Sequence, residues 1–184
     1  MKISVIGSGA MGSIYAGFLA NAGNEVTAVD LWKEHIDAIK NNGLHIENAS
    51  GTHIVKNLTA KYSLDEVDVS DLYILATKSK DIEFAAQSIN QHMGPNSILL
   101  SIQNGIGAKE KLLKHINQKN ILLGVAEGFG ASIKKPGCVA HAAMRLIRIG
   151  EINGEITPRL MRLARLWRAA GFNVKVFKNI DQLK

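Results

Sequence analysis

Cysteine is nearly absent from this sequence. The single example, Cys138 in 184 residues, excludes a disulfide framework and a zinc site built on several thiolates. It also suits a reducing compartment. No apolar run approaches the roughly 20 residues of a membrane span, so no membrane partner is expected. Six histidines are scattered, with no H-x-x-x-H pair and no cysteine at ligand spacing, so no metal is expected. A G-x-S-x-G elbow for acyl transfer is missing. With 3 prolines there is no low-complexity tract, and no internal repeat is visible. The opening MKISVIGSGAMGS reads as a strand followed by glycines, not as a cleaved signal. The expectation is a soluble, cytoplasmic protein.

What is present is a core. The chain is 46% hydrophobic and 21% charged, a balance that excludes a disordered chain and suits one domain. The net charge of +6 conceals a split. Residues 1–92 carry 7 Lys or Arg against 11 Asp or Glu, a balance of −4, and residues 93–184 carry 15 against 5, a balance of +10. Such asymmetry suits a nucleic-acid surface, an anionic ligand or an acidic partner.

The recurring unit is apolar strand, turn, amphipathic helix. Lys2 to Ile6 is a short strand. Ala10 to Asn21 reads as a helix with Met11, Ile14, Tyr15, Phe18 and Leu19 on one face. Glu25 to Val29 is the next strand, and Trp32 to Asn41 the next helix, with Ile36 and Ile39 inward and Gly43 as its stop. Leu44–Glu47 and His53–Leu58 suggest a hairpin around Asn48-Ala49-Ser50-Gly51. Asp71–Ala76 and Ser97–Ile102 are strongly apolar, as strands covered on both faces are. Helices at Asp81–Gln91 and Ala108–Ile116 alternate with them, and Ile121–Val125 continues the series. Short strands fill Glu127 to Gly150, with a turn at Lys134–Gly137. A last helix begins with Thr157 as cap and Pro158 at its first position, stops at Gly171, and precedes a strand over Asn173–Phe177. The fold class is α/β, a doubly wound and mostly parallel sheet.

Gly7-Ser8-Gly9-Ala10-Met11-Gly12 is a G-x-G-x-x-G run. Its context gives it force, because it follows a strand and opens a helix. Gly7 permits a tight turn, Gly9 lets backbone approach a pyrophosphate, and Gly12 allows close helix–strand packing. Free N–H groups and the positive helix end then hold phosphates. Ser8, Ala10 and Met11 complete the cradle. Asp30 follows Gly12 by 18 residues, close to the interval of about 20 expected for a ribose-binding acid. Taken alone it favours NAD(H), since a carboxylate repels a 2′-phosphate. Lys33 and His35 are near enough to offset this by binding a phosphate. The blander alternative makes all three solvated loop residues, His35 more readily than Asp30. Thr77-Lys78 and Gln103-Asn104-Gly105 follow two further strands, at the edge where open α/β sheets bind ligands. There Lys78 can face phosphate or carboxylate, and Asn104 can orient a carboxamide or hydroxyl. Asn-Gly is equally a common turn pair.

The chain resembles the ketopantoate reductase (2-dehydropantoate 2-reductase) family. The resemblance rests on MKISVIGSGAMGS, DLYILATKSKD, SILLSIQNGIG and GASIKKPGCVAHAAMRLIRIGE, in the family's order and spacing. It implies a Rossmann-type NAD(P)-binding domain over residues 1–178, with 179–184 starting a linker to a C-terminal helical domain. It further implies NADPH-dependent reduction of 2-dehydropantoate, a small 2-oxo acid, to pantoate in coenzyme A synthesis. Gly7–Gly12, Lys78 and Asn104 would contact the cofactor, Asn104 the substrate as well, and the backbone at Ala131 would lie against the cofactor. The general-acid lysine is expected beyond Lys184, so this stretch is expected to bind cofactor without turnover. The resemblance admits a homodimer. Asp30 stands where NADPH-preferring members often carry a basic residue, which leaves NAD(H) as the other cofactor.

Rival readings are another 2-oxo-acid or 3-hydroxy-acid dehydrogenase, and a non-enzymatic nicotinamide-nucleotide sensor. Nucleic acid fits less well. Arg159, Arg162, Arg165 and Arg168 fall three apart, which drifts about 60° per step around a 3.6-residue helix. They read as the solvated side of a helix whose buried side is Leu160, Leu163, Ala164 and Trp167. Cys138 and His141 read as packed structural residues.

Overall fold

The computed structural model describes residues 1–102, 107–143 and 145–180. In chain order the elements are β1 (Lys2–Ile6), α1 (Ala10–Asn21), β2 (Glu25–Val29), α2 (Lys33–Asn42), β3 (Leu44–Asn48), β4 (Gly51–Val55), β5 (Leu58–Lys61), β6 (Leu72–Leu75), α3 (Ile82–His92), β7 (Ile98–Ile102), α4 (Ala108–Leu113), β8 (Ile121–Glu127), β9 (Gly130–Lys135), β10 (Cys138–Ala143), β11 (Leu146–Glu151), α5 (Pro158–Ala169) and β12 (Val174–Val176).

Eight strands form the main sheet in the order β12-β11-β8-β7-β6-β1-β2-β5. Every neighbouring pair is parallel except β8 with β11. Alternation along each strand sends side chains to two separate cores. Ile3, Val5, Leu72, Ile74 and Leu100 face α1 and α5. Ile6, Tyr73, Leu75 and Leu99 face α3 and α4. In α3 the buried residues Ile82, Ala85, Ala86 and Ile89 recur at helical spacing, so one stripe suffices to dock it.

α1 differs, because it is apolar nearly all round. Gly12, Ser13, Ile14, Tyr15, Ala16, Gly17, Leu19 and Ala20 are all buried. The cause is a second sheet, ordered β4-β3-β10-β9, which covers the side of α1 turned away from the main sheet. A Cβ at Gly17 would come within 2.5 Å of the Ile46 side chain on β3, so a small residue is what lets helix and strand approach. The expected hairpin over 44–58 is only partly right. β3 and β4 form it, but Leu58 belongs to β5, paired in parallel with β2 at the edge of the main sheet.

α5 seals the other end of the same layer. The Thr157 hydroxyl accepts the Leu160 N–H at 3.2 Å, and Pro158 occupies the first turn. Trp167 is fully buried, edge-on to Tyr15 with ring centroids 5.2 Å apart. Arg162, Arg165 and Arg168 are exposed as expected. Arg159 is not merely solvated, since it is ion-paired to the buried Glu151 of β11.

No helix among the described residues is long and apolar enough to cross a membrane.

Candidate dinucleotide site

The strand order reverses at β1, with β2 on one side and β6 on the other. Crossovers from β1 therefore leave in opposite directions, opening a crevice at the carboxyl ends of β1 and β6. The loop Gly7–Gly9 runs along this crevice into α1.

Three glycines shape the loop, each for a different reason. Gly7 has φ +87°, and a Cβ there would lie 2.7 Å from the Thr77 backbone nitrogen. Both the turn and the approach of β6 demand it. A Cβ at Gly12 would sit 2.0 Å from the Gly7 carbonyl oxygen, so it lets α1 close on the strand that precedes it. Gly9 is unlike either. Its φ is −67°, open to any residue, and among the described residues a Cβ there would meet no atom within 4 Å. Nothing among the described residues requires glycine at this position. A cradle kept bare toward open space is what close approach by a phosphate group needs.

The N–H groups of Ala10, Met11 and Gly12 occupy the first turn of α1, where no intrahelical acceptor exists. With the helix dipole they make the crevice attractive to an anion. Ser8 lies differently from the expectation that it lines the cradle. It is fully buried, its hydroxyl donates to the Val5 carbonyl at 3.2 Å and its N–H to the Val29 carbonyl at 3.3 Å. Its side chain supports the loop from behind.

Asp30 ends β2 one strand away. One carboxylate oxygen accepts the Trp32 N–H at 3.0 Å, which fixes the group at the crevice edge. Leu31 is 76% exposed and Trp32 39% exposed. The Trp32 ring stacks on His35 at 5.0 Å, 15° from parallel. Lys33 opens α2 and is exposed.

His35 is a correction. It is not a solvated loop residue but fully buried. Burial lowers its pKa, while the Asp30 charge and the Ser8 carbonyl act in the opposite sense. Its spacing carried the signal, since His35 and Ile39 lie four apart on the buried face of α2.

Lys78, beyond β6, is exposed, and its carbonyl accepts the Asp81 N–H at 2.9 Å. It stands on the β6 side of the crevice. Ala131 is half-buried on β9, in register with His141 and two residues past Phe129, whose ring is 6.2 Å from Tyr15. Asn104 lies outside the described residues, as does 181–184 of the expected linker. His141 packs edge-on to Phe18 at 5.4 Å, and among the described residues its Nε2 has no hydrogen-bond partner. Burial lowers its pKa, and a backbone hydrogen bond at Ala143 acts in the opposite sense. Burial, chiefly, raises the pKa of Cys138, whose thiol donates to Glu47 at 3.3 Å, as befits a packed residue and not a nucleophile.

A family model described as ketopantoate reductase PanE/ApbA matches residues 3–154. The chain belongs to the ketopantoate reductase family. That family consists of nicotinamide-dependent oxidoreductases acting on a small 2-oxo acid. A 2-dehydropantoate 2-reductase from Pyrococcus horikoshii is 33% identical over 180 residues, 98% of this chain and 57% of its own length. A PanE/ApbA family ketopantoate reductase from Ralstonia eutropha JMP134 superposes with a TM-score of 0.88 at 29% identity, over 98% of this chain and 57% of that one. A D-mandelate dehydrogenase solved with NADH and anilino(oxo)acetate matches equally well, with a TM-score of 0.88 at 29% identity, over 98% and 58%. The chain thus spans a little over half the length of these relatives.

Proposed function

We propose that this chain holds the nicotinamide dinucleotide for the reduction of a 2-oxo acid, and that it takes NADH in preference to NADPH. The observation that carries the reading is Gly9. Its bareness has no cause among the described residues, and it lies where the crevice and the free N–H groups of α1 meet. A pyrophosphate held against Gly9 would leave the adenosine ribose to the Asp30 side of the crevice. The carboxylate, already held by the Trp32 N–H, then accepts from the ribose hydroxyls. A 2′-phosphate would meet a negative charge there. Lys33 is the nearest offsetting cation in sequence, on a freely solvated stem.

Bound nicotinamide supplies a hydride to the substrate ketone. This chain's residues bind and orient. Lys78, on the β6 side, offers a positive charge to phosphate or carboxylate, and the family resemblance assigns Asn104 to cofactor and substrate. Reduction also needs a proton for the developing alkoxide. The family resemblance assigns that proton to a lysine expected beyond Lys184, so residues 1–184 alone are expected to bind cofactor without turnover. In the whole protein the substrate is 2-dehydropantoate. A second reading, an NADH-dependent 2-hydroxy-acid dehydrogenase, draws on Asp30 and on the likeness to the D-mandelate enzyme.

Calorimetric titration with NADH and NADPH tests the proposal. Tighter binding of NADH by about tenfold or more, the cost of one unfavourable charge contact, is the expected result. Tighter NADPH binding overturns the preference, and binding of neither overturns the function.

A further inference from the structure

Behind the glycine loop runs a buried relay that joins three elements. The Gly137 N–H, in the turn between β9 and β10, donates to His35 Nδ1 at 3.1 Å. A ring nitrogen that accepts carries no proton, so the imidazole proton sits on Nε2. That nitrogen faces Ser13 Oγ at 3.1 Å. With one lone pair occupied by the imidazole N–H, the Ser13 hydroxyl sends its own proton to the Ser8 carbonyl at 2.9 Å. His35, Ser13 and Ser8 are all fully buried, so water does not compete for these bonds.

The last acceptor gives the relay its meaning. The Ser8 carbonyl and the Gly9 N–H belong to one peptide plane and, in the trans form, point in opposite directions. Holding that carbonyl inward turns the Gly9 N–H outward, toward the bare cradle. Among the described residues the Gly9 N–H has no acceptor.

We propose that His35 is a positioning residue for the cofactor: through Ser13 it locks the Ser8–Gly9 peptide so that the Gly9 N–H faces the pyrophosphate. This rests on the dinucleotide reading above. The relay also ties the loop to the second sheet through Gly137, but it is the Nε2 side of the ring, facing Ser13 and the Ser8 carbonyl, that bears on the peptide.

The two ring nitrogens can be imitated separately. His35→Gln puts an amide N–H near the Nε2 position and keeps the Ser13 arm. His35→Asn puts a carbonyl oxygen near the Nδ1 position and keeps only the Gly137 arm. Ser13→Ala removes the relay at its centre with almost no change in volume. NADH affinity is measured by calorimetry at a temperature where circular dichroism shows each variant folded. Amide hydrogen exchange at Ser13, whose N–H bonds the Gly9 carbonyl at 2.9 Å, reports loop order without any cofactor. His35→Gln is expected to bind NADH within about threefold of wild type and to keep Ser13 protected. His35→Asn and Ser13→Ala are expected to bind about tenfold or more weakly, as loss of one buried hydrogen bond implies, and to exchange faster. Equal affinities and equal exchange across the three variants overturn the proposal, as does a Gln variant that falls with the Asn one. If wild type binds neither dinucleotide the function fails, and the exchange rates still decide whether His35 orders the loop.

Discussion

Arg159 closes on the carboxylate of Glu151 with two N–H groups, Nε at 2.8 Å and Nη2 at 2.5 Å. Glu151 is only 4% exposed, and the Thr157 hydroxyl donates to the same carboxylate. The pair thus pins the start of α5 to the end of β11, and the carboxylate raises the pKa of Arg159. Arg159→Ala strands a buried charge, which should cost about 3 kcal/mol. For a chain of this size that is about 10 °C in melting temperature. Arg165→Ala, on the exposed side of the same helix, should change it by no more than a degree or two, roughly the effect of an ordinary surface substitution. Differential scanning calorimetry of the two variants checks the contrast.

In the proposed reading Asp30 sets the cofactor preference. Asp30→Ala should weaken NADH about tenfold by removing the ribose hydrogen bonds, and should leave NADPH unchanged or improved. The ratio of the two dissociation constants, measured by titration, should move toward unity. A variant with the wild-type ratio would place the discriminating group elsewhere.

His35 should make stability fall with mild acid. Burial holds its folded-state pKa below the ordinary value, although Asp30 and the Ser8 carbonyl partly oppose this. The unfolded chain therefore takes up a proton first as pH falls. The contribution is present in full above the unfolded value of about 6.5 and is lost progressively as pH falls below it. His141, also lowered by burial, acts in the same sense. The comparison that isolates His35 is thus wild type against His35→Gln. Urea unfolding at pH 7.5, 6.5 and 5.5 should show a steeper loss for wild type.

Local pattern carried most of the main sheet. Alternating strands and the i, i+3, i+4 spacing of Ile82, Ala85, Ala86 and Ile89 are short-range signals, and the structure follows them. The second sheet was not legible, because Cys138 pairs with His45 across more than ninety residues of chain and no local pattern encodes that pairing. One trace of it existed. Gly12, Ala16, Gly17 and Ala20 in α1 are small residues on faces beyond the Ile14–Leu19 stripe, and a helix so furnished fits between two layers. At the site, the glycine run and Asp30 were readable from spacing. For Ser8 the motif spacing does not say which way the side chain points, and for His35 a loop reading overlooks its helical spacing from Ile39. Ser8 faces inward beneath the loop, and His35 shares the buried face of Ile39.

Gly9 and Gly12 separate what the fold needs from what the ligand needs. Gly12→Ala drives a methyl group against the Gly7 carbonyl and should destabilise the chain by more than about 3 kcal/mol, since backbone must move to admit it. Gly9→Ala meets no atom of the described residues and should leave the melting temperature within about 3 °C of wild type. The most direct test of the account is NADH titration of Gly9→Ala beside wild type, with both melting temperatures recorded. The account predicts an intact fold that binds NADH at least about a hundredfold more weakly, because the methyl group occupies the pyrophosphate's place. An intact Gly9→Ala variant that binds NADH as wild type does would contradict it.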